Sequence, residues 1–281
     1  MAHSYECFDL EIKDHIAHLR LNRPEKANSM IVEFWTELPT AINQISNDAD
    51  ARVIVISSEG KHFSSGMDIS VFMKGSLDAD PANIQVSAEA FRHKVHFLQE
   101  TFTCLERARQ PVLMALQGGV IGGAIDFVTA ADCRYASKDA FFCVQETAIG
   151  MTADVGTFPR LAKIIPEGWA RQMSYTAERV SAEKAKEIGL VNEVYDTREA
   201  LLDGVMATAR QIAAHSPLAI TGCKRMITYA RDHSTTDALD YVGVWNAAML
   251  RPEDIRESFV AKSEGRPPSF ESLKKIKSGE M

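Results

Sequence analysis

The sequence has little cysteine and lacks any paired cysteine motif. Its five cysteines are scattered over 281 residues, and no two of them form a C-x-x-C pair. Neither a disulfide framework nor a zinc ribbon is therefore indicated. We expect buried free thiols in a reducing compartment instead.

The sequence also lacks long apolar runs and an excess of basic charge. No apolar stretch reaches the roughly 18 residues that a membrane-spanning helix needs, and the first ten residues show no signal-peptide pattern. We therefore expect a cytoplasmic protein that is not inserted in a membrane. Lys and Arg number 31 against 38 Asp and Glu, for a net charge of −7, which argues against a general nucleic-acid surface.

Common cofactor and metal signatures are missing as well. The glycine-rich stretch at residues 117–126 is neither a G-x-G-x-x-G fingerprint nor a Walker A loop. The eight histidines form no metal-spaced cluster, and His93 and His96, three residues apart, have no accompanying acid motif. We expect no metal and no separate cofactor.

What is present is the composition of a folded protein, with 46% apolar residues, and an alternation of strands and helices. Period-two patterns predict paired strands at residues 8–12 and 17–21, and a β-branched run predicts a buried strand at 53–56. Further strands are expected at 112–116, 134–136 and 141–144. This alternation predicts a layered α/β core over residues 1–200, followed by a helical subdomain over 201–281.

Helical spacing predicts three helices in the core. One runs from about Ser29 to Ile45 and should kink or break at Pro39, which lacks an amide donor. A long amphipathic helix covers residues 91–105, and a helix capped by Ser181 ends at Gly189. Residues 71–86 contain glycine, proline and several aspartates, and they are predicted to form a mobile loop.

Three segments carry residues suited to chemistry. Residues 62–69 follow a buried strand, and residues 117–126 place two glycine pairs between a strand and an apolar stretch. Glycines allow close backbone approach to a ligand, and a helix N-terminus offers free N–H groups to negative charge. Either segment alone is also compatible with a tight turn that binds nothing. The third segment is residues 145–156, which contains Glu146 and Asp154.

Three acids lie in apolar or small-residue surroundings: Asp126, Glu146 and Asp154. A carboxylate that loses hydration has a raised pKa, which suits it to proton transfer near neutral pH. Single acids are usually solvated surface groups, and the sequence alone does not show that these three meet in space.

These segments, in this order, resemble the enoyl-CoA hydratase/isomerase (crotonase) superfamily. The resemblance covers nearly the whole chain, and its quoted segments are LNRPEKAN at 21–28, FSSGMDI at 63–69, GGVIGGAID at 118–126, residues 142–154, SAEKA at 181–185 with GLV at 189–191, and WNAAML at 245–250. It implies a ββα spiral core with a C-terminal helical trimerisation region, assembled as a homotrimer or as a homohexamer of two trimers.

The resemblance also implies an acyl-CoA thioester substrate, whose coenzyme A is part of the substrate, and an oxyanion hole for its carbonyl. Carried over by position, the main-chain N–H groups of Ser65 and Gly123 would form that hole. The implied substrate-binding residues are Arg23, Lys26, Ala27, Ser65, Gly66, Met67, Asp68, Ile69 and Gly123. Arg23 and Lys26 would lie near the nucleotide, and the tail lysines Lys274, Lys275 and Lys277 would either assist or form a solvated charge run.

The acids favour one branch of the superfamily. Its hydratases resemble one another in carrying Glu at both positions that match Asp126 and Glu146, whereas its dienoyl-CoA isomerases are similar to this chain in having all three acids. The expected activity is therefore isomerisation of 3,5-dienoyl-CoA to 2,4-dienoyl-CoA in β-oxidation. Glu146 would take the C2 proton, Asp154 would deliver one to C6, and Asp126 would tune them.

Two other functions are weighed against this one. The first is a 2-enoyl-CoA hydratase, which adds water to the double bond, and it is weakened by Asp126 and by the third acid. The second is a non-catalytic acyl-CoA-binding or RNA-binding member of the superfamily. Retention of the three acids argues against catalytic loss, and the acidic charge argues against RNA.

Overall fold

The computed structural model describes residues 5–73 and 83–276. Within these ranges nine strands form two sheets. A six-stranded sheet has the order β1-β2-β3-β4-β6-β9, and a small sheet has the order β5-β7-β8. The strands are β1 Phe8–Lys13, β2 Ile16–Leu21, β3 Val53–Ser58, β4 Val112–Leu116, β5 Gly119–Ile121, β6 Cys133–Ser137, β7 Phe141–Cys143, β8 Val180–Ser181 and β9 Glu193–Tyr195.

Helices follow most of these strands, as expected of a layered α/β core. They are α1 Phe34–Asp48, α2 Ile69–Met73, α3 Ile84–Arg107, α4 Gly123–Thr129, α5 Thr157–Ile164, α6 Glu167–Thr176, α7 Ala182–Glu187, α8 Arg198–Ala213, α9 Pro217–Ala230, α10 Thr235–Met249 and α11 Pro252–Glu264. Two short 3-10 turns lie at Pro24–Lys26 and Glu146–Ile149.

The main sheet confirms the predicted strands and explains why β3 is apolar along its length. β1 and β2 pair antiparallel with Phe8 opposite Leu21, and β2, β3, β4, β6 and β9 run parallel. Every residue of β3 is buried. Ile54 and Ile56 belong to the main core, whereas Val53 and Val55 pack in a second cluster with α8, so the strand is covered on both faces.

The prediction for the first helix is wrong at both its start and its proline. α1 begins at Phe34, because the chain before it forms the 3-10 turn and a bridge from Met30 to Met67. The helix then runs unbroken through Pro39. The carbonyl of Trp35, which the missing Pro39 N–H would have served, accepts a hydrogen bond from the Thr101 hydroxyl at 3.0 Å. α3 thus supplies the donor that the proline removes.

Other predictions are confirmed in part. α3 contains the predicted helix and starts earlier, at Ile84, and α7 is capped by the Ser181 hydroxyl. The predicted mobile loop at 71–86 is helical at 71–73 and again from residue 84, and residues 74–82 lie outside the described residues. Of the five thiols, which are all unpaired, Cys223 is exposed rather than buried.

The C-terminal part is helical, as predicted. α8 spans the predicted division at residue 200 and packs against the main sheet through Leu201 and Val205. α10 and α11 each bury a single residue, Ala238 and Ala261, and expose large apolar side chains such as Phe259. In the part of the chain that the structure describes, no helix is long and apolar enough to cross a membrane.

The Thr101–Trp35 contact leads to a stability prediction. Thr101→Val leaves the buried Trp35 carbonyl without a donor and should lower the free energy of unfolding by about 1–3 kcal/mol. In a Pro39→Ala background, the main chain at position 39 regains its own N–H, so the same substitution should cost distinctly less. Urea unfolding of the four proteins measures this coupling.

Thr40→Val is the matched control, because the exposed Thr40 hydroxyl bonds only to the Thr36 carbonyl of its own helix. It should change stability by less than about 0.5 kcal/mol. Equal losses from Thr101→Val in both backgrounds would contradict the assignment.

Candidate active site

Two glycine turns bring two main-chain N–H groups side by side. Gly66 has φ +82°, and a Cβ at this position would lie 2.6 Å from the Ile121 oxygen and 2.9 Å from the Gly123 nitrogen. Only glycine permits this approach. On the other turn, a Cβ at Gly123 would lie 3.5 Å from the Met67 nitrogen. Among the described residues, neither the Met67 nor the Gly123 N–H has a hydrogen-bond acceptor.

This geometry corrects one predicted oxyanion-hole position. The Ser65 N–H is already used, because it donates to the Ala27 carbonyl at 2.9 Å. The next N–H, that of Gly66, donates to the Ser64 hydroxyl at 3.1 Å. Met67 therefore replaces Ser65 as the free donor opposite Gly123. The Ala27 carbonyl acts as an anchor for this turn.

A buried asparagine that the sequence analysis left without a role holds the turn in place. The Asn28 side chain, 4% exposed, donates to the Glu59 and His62 carbonyls at 2.9 Å each and accepts from the Arg23 N–H at 2.9 Å. All of its strong hydrogen-bonding groups but one lone pair are thereby used. The only signal in the sequence was its place at the end of LNRPEKAN.

Two predicted binding residues are engaged in the loop itself. The Arg23 guanidinium donates to the Ser29 carbonyl at 2.6 Å, and Asp68 accepts from the Ser29 hydroxyl at 2.6 Å and the Ser70 N–H at 2.9 Å. These hydrogen bonds lower the pKa of Asp68 to about 2, and the one from Ser29 has the largest effect. Asp68 is thus a fixed anion that organises the loop.

The remaining loop residues face outward. Ile69 is 76% exposed, and Lys26 is exposed and forms no ion pair within the described residues. Lys26 is therefore the predicted nucleotide-proximal cation that is available to an anion. The tail lysines differ, since Lys274 pairs with Glu271 and Lys275 with Asp50, and residue 277 lies outside the described residues.

Glu146 lies against the second glycine turn. It opens the 3-10 turn that follows β7, and its Oε1 is 3.4 Å from where a Cβ of Gly122 would lie. The carboxylate therefore approaches the residue directly before the free Gly123 N–H. Its Oε2 is buried and has no hydrogen-bond partner among the described residues. Burial raises the pKa of Glu146, and the charge of Asp154 raises it further.

Asp126 is the most deeply buried acid of the site, with 1% of its surface exposed on α4. Its Oδ1 accepts a 2.6 Å hydrogen bond from the Thr157 N–H at the start of α5. Burial, and then the charge of Glu146, raises the pKa of Asp126 to about 7, although Thr157 works in the opposite direction. The pKa of Asp126 therefore lies near neutral pH.

Asp154 completes the group. It is partly buried, which raises its pKa, and its charge also raises the pKa of Glu146 and of Asp126. The structure thus brings the three predicted acids close enough to interact electrostatically. Throughout residues 5–73 and 83–276 none of them forms an ion pair, and no group of three potential metal-ligating residues occurs.

The chain matches the family model described as enoyl-CoA hydratase/isomerase over residues 11–274. It belongs to this family. The predicted superfamily and α/β fold class are thereby confirmed, and the protein is an enzyme. The chain is also similar in structure to a crystallised enoyl-CoA hydratase from Bacillus anthracis, with a TM-score of 0.85 and 27% identity, covering 94% of this chain and 99% of the other.

Two curated relatives have the same name. The mitochondrial Delta(3,5)-Delta(2,4)-dienoyl-CoA isomerase of Homo sapiens is 39% identical over 94% of this chain and 81% of its own. The peroxisomal Delta(3,5)-Delta(2,4)-dienoyl-CoA isomerase of Arabidopsis thaliana is 38% identical over 92% of this chain and 93% of its own. Because these relatives are named for two organelles, the cytoplasmic location stays a prediction.

The buried Asp126 predicts a pH-dependent cost in stability. Its pKa in the folded protein is raised from 3.8 to about 7, so stability from this group is lost as the pH rises through that interval. Asp126→Asn cannot ionise and keeps an oxygen for the Thr157 N–H. Relative to the parent, the variant should gain stability between pH 5 and 8, by up to about 4 kcal/mol at the upper end.

Urea unfolding at several pH values measures this difference. Asp50→Asn, at an exposed position, is the control and should show no such pH-dependent gain. A stability difference for Asp126→Asn that is the same at every pH would contradict the raised pKa.

Proposed function

We propose that this protein isomerises 3,5-dienoyl-CoA thioesters to 2,4-dienoyl-CoA thioesters. The observation that carries the proposal is the joint presence of two unpaired main-chain N–H groups and three electrostatically coupled acids. The similarity to two enzymes with that name supports it. The substrate is an acyl-CoA thioester, and the proposed chemistry needs no metal and no separate cofactor, since only a proton is moved.

The N–H groups of Met67 and Gly123 would hold the thioester oxygen. Removal of a C2 proton turns the 3,5-dienoyl thioester into a conjugated trienolate, and much of its negative charge lies on this oxygen. Fixed donors stabilise that charge without having to reorganise during the reaction. Because Glu146 Oε1 lies beside Gly122, this carboxylate would lie next to C2 of a thioester bound in that way.

Two acids share the proton transfers. Glu146, ionised, removes a proton from C2, and Asp154, protonated, delivers one to C6, so that the conjugated trienolate becomes the 2,4-diene. The atoms balance, because one proton leaves the substrate and one enters it. C2 and C6 are separated by three carbons, which one short carboxylate spans poorly.

The electrostatics of the three acids favours the mixed protonation that this mechanism needs. Burial raises the pKa of all three acids, and the charges of Glu146 and Asp154 raise that of Asp126 further, which disfavours joint ionisation. Asp126, which is held by the Thr157 N–H, would set the electrostatic field at Glu146 and Asp154.

Hydration of 2-enoyl-CoA is the alternative reaction, and the similarity to a hydratase structure keeps it under test. A hydratase of the superfamily would present two glutamates to one water molecule. In this chain the first of the two glutamates is replaced by the shorter Asp126, whose Oδ1 already accepts a hydrogen bond from the Thr157 N–H. This observation favours the isomerase.

Oligomerisation and coenzyme A binding belong to the same proposal. The exposed apolar side chains of α9 to α11 would be covered in a homotrimer or a homohexamer, and they include Ile227, Leu239, Val244, Leu250 and Phe259. Lys26, exposed and unpaired within the described ranges, would contact a coenzyme A phosphate.

The decisive assay supplies 3,5-dienoyl-CoA and, separately, a 2-enoyl-CoA. We expect a conjugated 2,4-dienoyl thioester to appear by ultraviolet absorbance in the first case, with little hydration in the second. Asp154→Asn should still bind acyl-CoA but lose isomerisation by at least about a hundredfold. Rapid hydration without isomerisation, or full activity of Asp154→Asn, would refute the assignment.

Gly123→Ala tests the oxyanion hole. The added methyl group would meet its nearest neighbours at ordinary distances of 3.5 Å or more, so the protein should fold normally. However, the methyl group would lie 3.5 Å from the Met67 nitrogen, where the thioester oxygen would bind. We expect kcat to fall by about 10²–10³ with an unchanged melting temperature.

Gly168→Ala on α6 is the matched control, since a Cβ at that position meets nothing within 4 Å. It should leave kcat unaltered and should not lower the melting temperature, since alanine is favoured over glycine in a helix. Normal turnover by Gly123→Ala would place the thioester oxygen elsewhere.

A further inference from the structure

The segment that carries Asp154 has little main-chain support of its own. Residues 151–156 form neither helix nor strand. At its start the Met151 N–H donates to the Glu146 carbonyl, and just after its end the Thr157 N–H donates to Asp126. Between these two points, side chains from α3 and α5 bind its carbonyl groups.

One face of α3 supplies one of these side chains, that of Gln99, and two more that bind Arg160 of α5. Gln99, Thr103 and Glu106 are spaced four and three residues apart, so they lie along one side of the helix. The Gln99 amide donates to the Asp154 carbonyl at 2.7 Å. The Thr103 hydroxyl and Glu106 Oε2 accept from the Arg160 guanidinium at 3.0 and 2.9 Å.

Arg160 connects this face to the segment. It lies on α5 and reaches back to the Val155 carbonyl at 3.5 Å. On the way its guanidinium crosses Gly156, where a Cβ would come within 1.9 Å of Nη1, and Gly156 has φ +136°. The Arg160 and Glu106 side chains are 11% and 12% exposed, so solvent does little to weaken their attraction.

We propose that Gln99 and the Arg160–Glu106 pair are positioning residues that fix Asp154 for delivery of its proton to C6. They act on the main chain at residues 154 and 155 and touch no substrate atom. The inference rests on the proposed function, since it assumes that Asp154 is the donor. A displacement of about 1 Å in a catalytic group can cost about a hundredfold in rate.

The base is held by other contacts. Glu146 lies on the 3-10 turn after β7 and against Gly122, and none of the hydrogen bonds described for Gln99 and Arg160 reaches it. Loss of the α3 contacts should therefore impair protonation at C6 more than removal of the C2 proton. This separates positioning from general loss of structure.

The experiment measures how the trienolate is partitioned between substrate and product. In D2O, deuterium at C2 of recovered 3,5-dienoyl-CoA reports return of the trienolate to substrate, and 2,4-dienoyl-CoA reports protonation at C6. The test variants are Gln99→Leu, Arg160→Met and Arg160→Lys. Asp154→Asn sets the partition ratio for loss of the donor, and the melting temperature of each protein is recorded.

Arg107→Met, on α3, is the matched control, because it makes the same change of residue as Arg160→Met but, within the described residues, breaks only an exposed ion pair with Glu100. We expect Gln99→Leu and Arg160→Met to lower product formation about tenfold to a hundredfold and to raise the ratio of C2 exchange to product at least about fivefold. Arg160→Lys should recover part of the product rate, and Arg107→Met should match the parent.

If the parent enzyme does not isomerise 3,5-dienoyl-CoA, the proposed function fails first. If the parent isomerises it but Gln99→Leu and Arg160→Met keep the parent ratio, whatever their rates, the positioning role is refuted. Should Arg160→Met fail to fold, Gln99→Leu decides alone, since it removes one hydrogen bond and breaks no buried ion pair.

Discussion

Three carboxyl groups share a buried space, and no Lys or Arg of the described residues pairs with them. Burying a carboxylate without a cation costs free energy, so each of the three carboxyl groups has a raised pKa. The three acids together therefore tend to keep a proton. The Thr157 N–H, which donates to Asp126 at 2.6 Å, opposes this rise in pKa without removing it. A lysine here would stabilise all three anions and remove the acid form that the proposed reaction needs.

This constraint explains how the surrounding elements are tied together. Since no cation of the described residues binds the acids together, the main chain must hold each of them in place. Asp126 is held by α4, Glu146 by β7 and the turn after it, and Asp154 by the segment before α5. The Asp126–Thr157 hydrogen bond joins the first of these elements to the third. The first glycine turn is joined to the small sheet as well, since the Ser64 N–H donates to the Gly119 carbonyl of β5.

Local patterns in the sequence predicted what local physics determines. The β3 strand and the α7 cap depend on neighbouring residues, and both are confirmed. The identity of the three acids was also readable, because charged residues in apolar stretches stand out. That they interact in space was not, since Asp126 and Asp154 are brought together by folding alone.

Two of the wrong predictions involve partners that are distant in the sequence. α1 continues through Pro39 because Thr101, more than sixty residues later, supplies the missing donor. The Ala27 carbonyl determines which N–H group of the first glycine turn is free. It accepts a hydrogen bond from the Ser65 N–H, whereas the Met67 N–H has no acceptor among the described residues. Matching sequence positions does not reveal which N–H group of the turn is already hydrogen-bonded, because each residue of the turn has the same main-chain donor.

The same coupling bears on how the proposed cycle closes. Each turnover would leave a proton on Glu146 and a charge on Asp154, the reverse of the starting state. Burial raises the pKa of both groups, and the charge of Asp154 raises that of Glu146 further, so neither acid is strongly stabilised as an anion. A neighbouring cation on one acid alone would trap the proton on the other, so the lack of ion pairs at these acids within the described residues would serve the return of the proton as well as the forward reaction.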